Sequence, residues 1–97
     1  MNKKIEIEIS AKDIEKKDML QSLVDIIEEP CQETSSIQIS YSEEEENGGD
    51  IIKKVSVTVS AKYINWKEIL EKINEIDDSI WQEITSLDIS YSEENED

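Results

Sequence analysis

Isoleucine alternates with polar residues near the start of the chain, in the stretch Ile5-Glu6-Ile7-Glu8-Ile9-Ser10. A period of two predicts a half-buried β-strand whose isoleucines point toward a core. The stretch Val55-Ser56-Val57-Thr58-Val59-Ser60 alternates in the same way, and its valines favour a strand. Two later stretches predict two more strands, with inward residues Ile37, Ile39 and Tyr41 in the first and Leu87, Ile89 and Tyr91 in the second.

After each of the first strands the period becomes helical. Asn65 followed by Glu68 matches a capping box and predicts the start of the second helix, whereas Pro30 ends the first. Each helix carries one apolar stripe that should face the core. The stripes are Met19, Leu20, Leu23, Val24, Ile26 and Ile27 in the first helix and Trp66, Ile69, Leu70, Ile73 and Ile76 in the second.

The second half of the chain repeats the first at an offset of 50 residues. Residues 3–46 and 53–96 share 19 identities over 44 aligned positions. Two βαβ units with right-handed crossovers interlock as a ferredoxin-like βαββαβ fold of the α+β class. We therefore expect a four-stranded antiparallel sheet with both helices on one face, the first and third strands central, and the second and fourth at the edges.

The repeats make one domain, because a single βαβ unit of about 45 residues cannot cover its own sheet. We expect that domain to span residues 1–97, with repeat one over 3–46 and repeat two over 53–97. Between them, residues 43–50 hold both glycines and predict an exposed acidic hairpin loop.

The sheet face opposite the helices should be polar. A solvated face is the simpler interpretation, and a hydroxyl-rich docking surface is the alternative. RNA binding of the RNA-recognition-motif type needs stacking aromatic and basic residues on this face, and the predicted face has neither. The residues predicted there are Glu6, Glu8, Ser10, Gln38, Ser40, Ser42, Ser56, Thr58, Ser60, Asp88, Ser90 and Ser92.

The formal net charge of −15 is larger than a small domain needs for solubility. It argues against direct binding to nucleic acid or to an anionic membrane, and it permits binding to a basic protein surface. Arginine, histidine and phenylalanine are absent, while isoleucine, lysine, glutamate and asparagine are abundant, and this abundance is what AT-rich coding would produce. The chain has no apolar leader, so we expect a cytoplasmic protein of a bacterial host.

The topology predicts that the acids gather at the two ends of the sheet. Carboxylates at a helix C-terminus oppose its dipole, at a cost of about 0.3–1 kcal/mol each, so stability alone does not explain them. A functional use, such as imitation of phosphates, is one interpretation; simple solubility is the other. One end holds Glu43, Glu44, Glu45, Glu46, Asp50, Asp77 and Asp78, and the other holds Glu93, Glu94, Glu96 and Asp97 beside Glu28 and Glu29.

Catalytic and metal-binding motifs are absent from the sequence. No histidine is present, and no acidic stretch has the ligand spacing of a calcium loop, so we expect no enzyme activity, metal or cofactor. The lone cysteine, Cys31, is predicted to be a packing residue. Trp66 is assigned to the core and Tyr63 to the surface, while Trp81 either covers the core end or anchors a partner.

In size, single small domain, strong acidity and AT-rich composition, the chain resembles small phage-encoded inhibitors of bacterial defence, including DNA-mimic and anti-CRISPR proteins. The resemblance implies that a CRISPR effector or another nucleic-acid-binding enzyme is the target. The acids of both ends, together with Trp81, are then the expected contact residues. The alternative is a self-associating or regulatory interaction module, monomeric or dimeric, that binds through its edge strands Ser36–Ser42 and Ser86–Ser92. An immunity protein or antitoxin against a basic toxin would use the same electrostatics as the inhibitor.

Overall fold

A computed structural model describes residues 2–75 and 82–94 of the chain. Its elements follow the predicted order, β-α-β-β-α-β. They are β1 (Asn2–Asp13), α1 (Lys16–Ile27), β2 (Cys31–Glu45), β3 (Ile51–Ile64), α2 (Trp66–Asn74) and β4 (Gln82–Glu94). No helix within these residues is long and apolar enough to cross a membrane.

The four strands form one antiparallel sheet in the order β2-β3-β1-β4, which is the ferredoxin-like arrangement. This order confirms that β1 and β3 are central and that β2 and β4 are edges. One row across the middle of the sheet runs Ile39–Val57–Ile7–Ile89. Because Ile39 and Ile89 are equivalent in the two repeats, as are Ile7 and Val57, the register preserves the internal two-fold relationship.

The core lies between the two central strands and the helices. The apolar residues in the central parts of β1 and β3 that face the helices are fully buried, as the alternation predicts. Met19 and Leu23 of α1 and Ile69 of α2 are also fully buried, which confirms the central part of both predicted stripes. Val24 was also predicted to face the core but is 39% exposed, and Ile76 lies outside the described residues. The strand residues are Ile5, Ile7, Ile9, Ala11, Val55, Val57, Val59 and Ala61.

The helices cover the centre of the sheet but not its edges. Ile37 and Ile39 lie opposite Val59 and Val57, so they face the helix side as predicted, yet they are 51% and 43% exposed. The lengths explain why: β2 has 15 residues and is about 50 Å long, whereas the 12 residues of α1 span about 18 Å. A strand pattern reports which face a residue occupies, and the helix length decides how much of that face is covered.

The start of α2 confirms one prediction and corrects another. The side chain of Asn65 accepts a hydrogen bond from the backbone N–H of Glu68 at 3.2 Å, as the capping box requires. Trp66 was assigned to the core, but it is 42% exposed and stacks on Tyr91 of β4, with ring centroids 5.7 Å apart. It lies in the first turn, where the helix has only begun to cross the sheet. Tyr63 is exposed, as expected.

The acidic connection between β2 and β3 is shorter than the predicted loop over residues 43–50. Glu43, Glu44 and Glu45 continue β2 and are paired with β3, because Ile51 and Ile52 extend the ladder on the other strand. Only residues 46–50 form the turn, in which Gly48 and Gly49 adopt positive φ angles of 109° and 89°. Glycine accepts these angles without the steric cost of a side chain.

Candidate functional site

The acidic tip of the β2–β3 hairpin consists of Glu43–Glu46 and Asp50, all exposed. Backbone hydrogen bonds close it, since the N–H of Glu46 donates to the carbonyl of Asp50 at 2.7 Å. Strand pairing puts Glu43 and Glu45 on the helix side and Glu44 on the opposite side. These carboxylates therefore project from a paired backbone in two fixed directions, rather than from a loose loop.

Tyrosine and glutamate pair in the same way in both repeats. The hydroxyl of Tyr41 donates to the carboxylate of Glu43 at 2.6 Å, and that of Tyr91 donates to Glu93 at 2.8 Å. Burial, followed by the hydrogen bond and charge of Glu43, raises the pKa of Tyr41 to about 12; burial and Glu93 also raise the pKa of Tyr91. Each pair orients one carboxylate at the end of an edge strand.

Three lysines lie at the same end of the sheet as the acidic tip. Lys12 is 3.6 Å from Asp50, and Lys53 is opposite Glu43 in the strand register. The ammonium of Lys53 donates to the carbonyl of Ile14 at 2.7 Å. Lys16 lies over the ring of Tyr41, 4.9 Å from its centroid. The tip thus remains acidic at its end, with lysines placed behind it toward the helices.

The opposite end of the sheet also gathers acids, as the topology predicts. The C-terminus of α1 brings Glu28 and Glu29 to the end where β4 finishes beside the start of β1. Two ion pairs lie nearby, between Lys72 and Glu29 at 3.7 Å and between Lys62 and Glu33 at 3.8 Å. Both are exposed, and exposed pairs of this kind contribute little to stability.

Four of the predicted contact residues lie outside the described part of the chain. They are Asp77, Asp78, Trp81 and Glu96, and Asp97 also lies outside it. Glu94 is described only as a position in β4, paired with Asn2. The predicted second acidic cluster is therefore represented here by Glu93 and the end of α1.

The open face of the sheet is polar and rich in hydroxyl groups, as predicted. Ser40 and Ser56 share a hydrogen bond of 2.6 Å between neighbouring strands. Lys54 also lies on this face, so the prediction that the face has no basic residue is wrong. Lys54 contacts Glu8 at 2.7 Å, and this hydrogen bond and charge raise the pKa of Lys54. Ser10 departs from the prediction, because it is buried rather than exposed. The side chains here are small and pair with one another, which is typical of a surface whose polar groups satisfy their own hydrogen bonds.

An apolar groove of about 320 Å³ lies between α1 and the edge strand β2, and sequence reasoning did not identify it. We call it the α1–β2 groove. Its floor includes Val59 and the buried Cys31. Its walls include Val24, Ile37 and Ile39, whose side chains are partly exposed. The sequence did contain a signal for this groove, because the apolar stripe of the first helix is short and the alternating pattern of the neighbouring strand is long. The remaining lining residues are Ile27, Glu28 and Thr34.

Two kinds of chemistry can be assessed at these surfaces. Burial raises the pKa of the Cys31 thiol to about 11, so the thiol is protonated at neutral pH and behaves as a small apolar side chain. Within residues 2–75 and 82–94, no three acidic or thiol side chains are grouped so as to hold a metal ion.

No protein-family model matches the sequence, and no curated protein matches it. Among solved structures, the chain is similar to the de novo designed protein Foldit4, with 15% identity and a TM-score of 0.49 over 98% of this chain and 100% of that one. It is also similar to B. subtilis GlnK in its ATP complex, with 10% identity and a TM-score of 0.45 over 94% of this chain and 84% of that one. These likenesses are too weak to bear on function.

Proposed function

We propose that the chain is an acidic binding protein that inhibits a nucleic-acid-binding protein by occupying its basic surface. The observation that carries the proposal is the hairpin tip, where Glu43–Glu46 and Asp50 extend from a paired backbone. Carboxylates held in this way can take the place of phosphates against lysine and arginine. A net charge of −15 would speed the encounter and make it sensitive to salt.

The small size and acidity favour one form of this proposal, a phage-encoded inhibitor of bacterial defence with a CRISPR effector or a related enzyme as target. In this form the chain acts in the cytoplasm of the bacterial host. Its mechanism is steric and electrostatic, because the target's basic surface cannot hold nucleic acid and the hairpin together. The function is binding rather than catalysis.

The hairpin tip should be necessary for binding. Changing Glu43, Glu44, Glu45 and Glu46 together to glutamine leaves the fold intact, because all four are exposed and glutamine at position 43 still accepts from Tyr41. Exposed ion pairs contribute about 0.2–1 kcal/mol each, so losing four should weaken binding roughly fourfold or more. The measurement is capture of targets from a nuclease-treated lysate of a low-GC bacterium, at low and high salt, with identification by mass spectrometry.

A matched control separates position from total charge. The variant D18N/D25N/E68Q/E71Q neutralises four acids on the helix surfaces and has the same net charge as the hairpin variant. We expect it to retain the salt-released target that the hairpin variant loses. Equal loss in both variants would mean that diffuse charge, and not the hairpin, drives binding. Capture of no salt-released nucleic-acid-binding protein by the parent chain would refute the proposed function.

A further inference from the structure

The α1–β2 groove exposes apolar side chains on a strongly acidic protein. Ile37, Ile39 and Val24 are 51%, 43% and 39% exposed, and they are continuous with the buried floor at Val59. Contiguous exposed apolar surface with a polar rim is typical of an interaction site. The neighbouring strand residues provide a second reason to expect a partner here.

The outer edge of β2 is unprotected against strand pairing between residues 36 and 42, and glutamates flank this stretch on both sides. Natural proteins block exposed edges with short strands, lysine, proline or bulges. β2 has 15 residues and contains neither lysine nor proline, and its irregularity lies at Thr34–Ser36, before the apolar stretch. From Ser36 to Ser42 the strand is uncharged. An extended segment could therefore add to this edge through backbone hydrogen bonds.

The charges at the two ends of the groove define the chemistry of that segment. Glu28 lines the groove toward one end, while Glu43 and Glu45 lie on the helix side of β2 at the other. A second copy of this chain would bring the same acids against them, and like charges would repel. A segment with basic residues at its ends would pair with both groups of acids.

We propose that β2 and the α1–β2 groove bind an extended segment of a basic partner protein, which adds to the sheet as a fifth strand. Its alternate apolar side chains would lie beside Ile37 and Ile39, and lysine or arginine at its ends would meet the flanking glutamates. The inference rests on the proposed function in taking the partner to be basic. It adds a second contact, which depends on backbone pairing and apolar burial.

The spacing sets the length of a suitable probe. Ile37 and Glu43 are six residues apart on one face of the strand, which is about 20 Å. A nine-residue peptide, Lys-Thr-Val-Thr-Val-Thr-Val-Thr-Lys, places three valines and two lysines on a single face. A fluorescent form of this peptide, blocked at both termini, can be titrated with the protein by anisotropy.

Two variants and two altered peptides test the assignment. The variant I37T/I39T removes apolar contact but keeps β-branched residues, so the strand should persist. The matched control is I84T/L87T on β4, where the side chains are 41% and 42% exposed. We expect the first variant to weaken peptide binding about tenfold and the control to bind as the parent does. A peptide with proline as its central residue, and one with the valines grouped together, should both bind weakly.

Four results would overturn the proposal. The first is equal peptide affinity for the parent and I37T/I39T. The second is equal affinity for the alternating and proline peptides, since charge alone would then account for binding. The third is a salt-resistant dimer of the parent, seen by sedimentation velocity, that I37T/I39T dissociates, because a second copy would then fill the groove. If I37T/I39T still captures the salt-released target and the hairpin variant does not, this inference fails and the proposed function stands.

Discussion

At the scale of single residues, the burial of a side chain on the helix side of the sheet depends on whether a helix covers its position. Ile7 and Ile39 lie in the same cross-strand row, yet Ile7 is fully buried and Ile39 is 43% exposed. Alternation is a property of the strand alone, whereas burial requires a helix above it. The prediction that Trp66 lies in the core is wrong for the same reason. Its helical spacing does not indicate where the helical layer begins to cover the sheet.

The tyrosine–glutamate pairs were not predicted, although the repeat preserves both residues. Tyr41 and Glu43 are two residues apart in a strand, so they share a face and can contact each other. The contacts at the helix starts differ between repeats: Lys16 lies over Tyr41, whereas Trp66, at the equivalent position, stacks on Tyr91. Sequence spacing alone could not show that these aligned positions reach the same aligned tyrosine.

We expect Tyr41 to make stability sensitive to high pH. Its pKa is raised from 10.0 to about 12, so folding favours the neutral phenol. The resulting stabilisation is complete below pH 10.0 and is lost as the pH rises through about 12. Titration of tyrosinate absorbance checks this in a Y63F/Y91F background, where Tyr41 is the remaining tyrosine.

Replacing Glu43 by glutamine in that background should lower the pKa of Tyr41 toward 10.0, because the carboxylate's charge is lost. The fall should be partial, since burial is the largest cause of the shift. The control is E45Q, which removes a charge from the same end of the strand. Identical titration curves for E43Q and E45Q would show that the hydrogen-bonded pair does not form in solution.

At the scale of the elements, the alternating and helical periods predicted all six elements and their order. The repeat helped, because each βαβ unit could be interpreted twice, and the crossover rule left one way to interlock them. The prediction failed at element ends. Ile51 and Ile52 extend β3 and thereby draw Glu43–Glu45 into β2, although four consecutive glutamates had indicated a loop. Pairing with a strongly β-forming neighbour overrides the local preference of glutamate.

The strand register can be tested by placing a charge on each face. Changing Ile7 to aspartate should unfold the domain, because the residue is fully buried and an unpaired carboxylate there costs several kcal/mol, comparable with the total stability of a small domain. Changing Gln38 to aspartate, on the exposed open face, should leave the thermal unfolding transition nearly unchanged. If both variants melt like the parent, the assigned faces are wrong.

At the scale of the whole molecule, a long sheet and short helices produce the two candidate contact surfaces. The molecule extends 51 Å along its main axis, close to the length of β2, so the hairpin tip reaches beyond the helical layer. The same mismatch leaves the α1–β2 groove uncovered. Composition predicted the acidity and the inferred topology predicted its two ends, but the groove depends on the relative lengths of the layers and could not be inferred from charge.

The proposed function requires that the target cannot hold this chain and nucleic acid at the same time. The most direct measurement is competition: the captured target is held on immobilised chain, and duplex DNA, or guide RNA for a CRISPR effector, is added at constant ionic strength. We expect nucleic acid to release the target in proportion to its concentration. Retention of the target together with bound nucleic acid in one ternary complex would contradict the account, because the two would then occupy different surfaces.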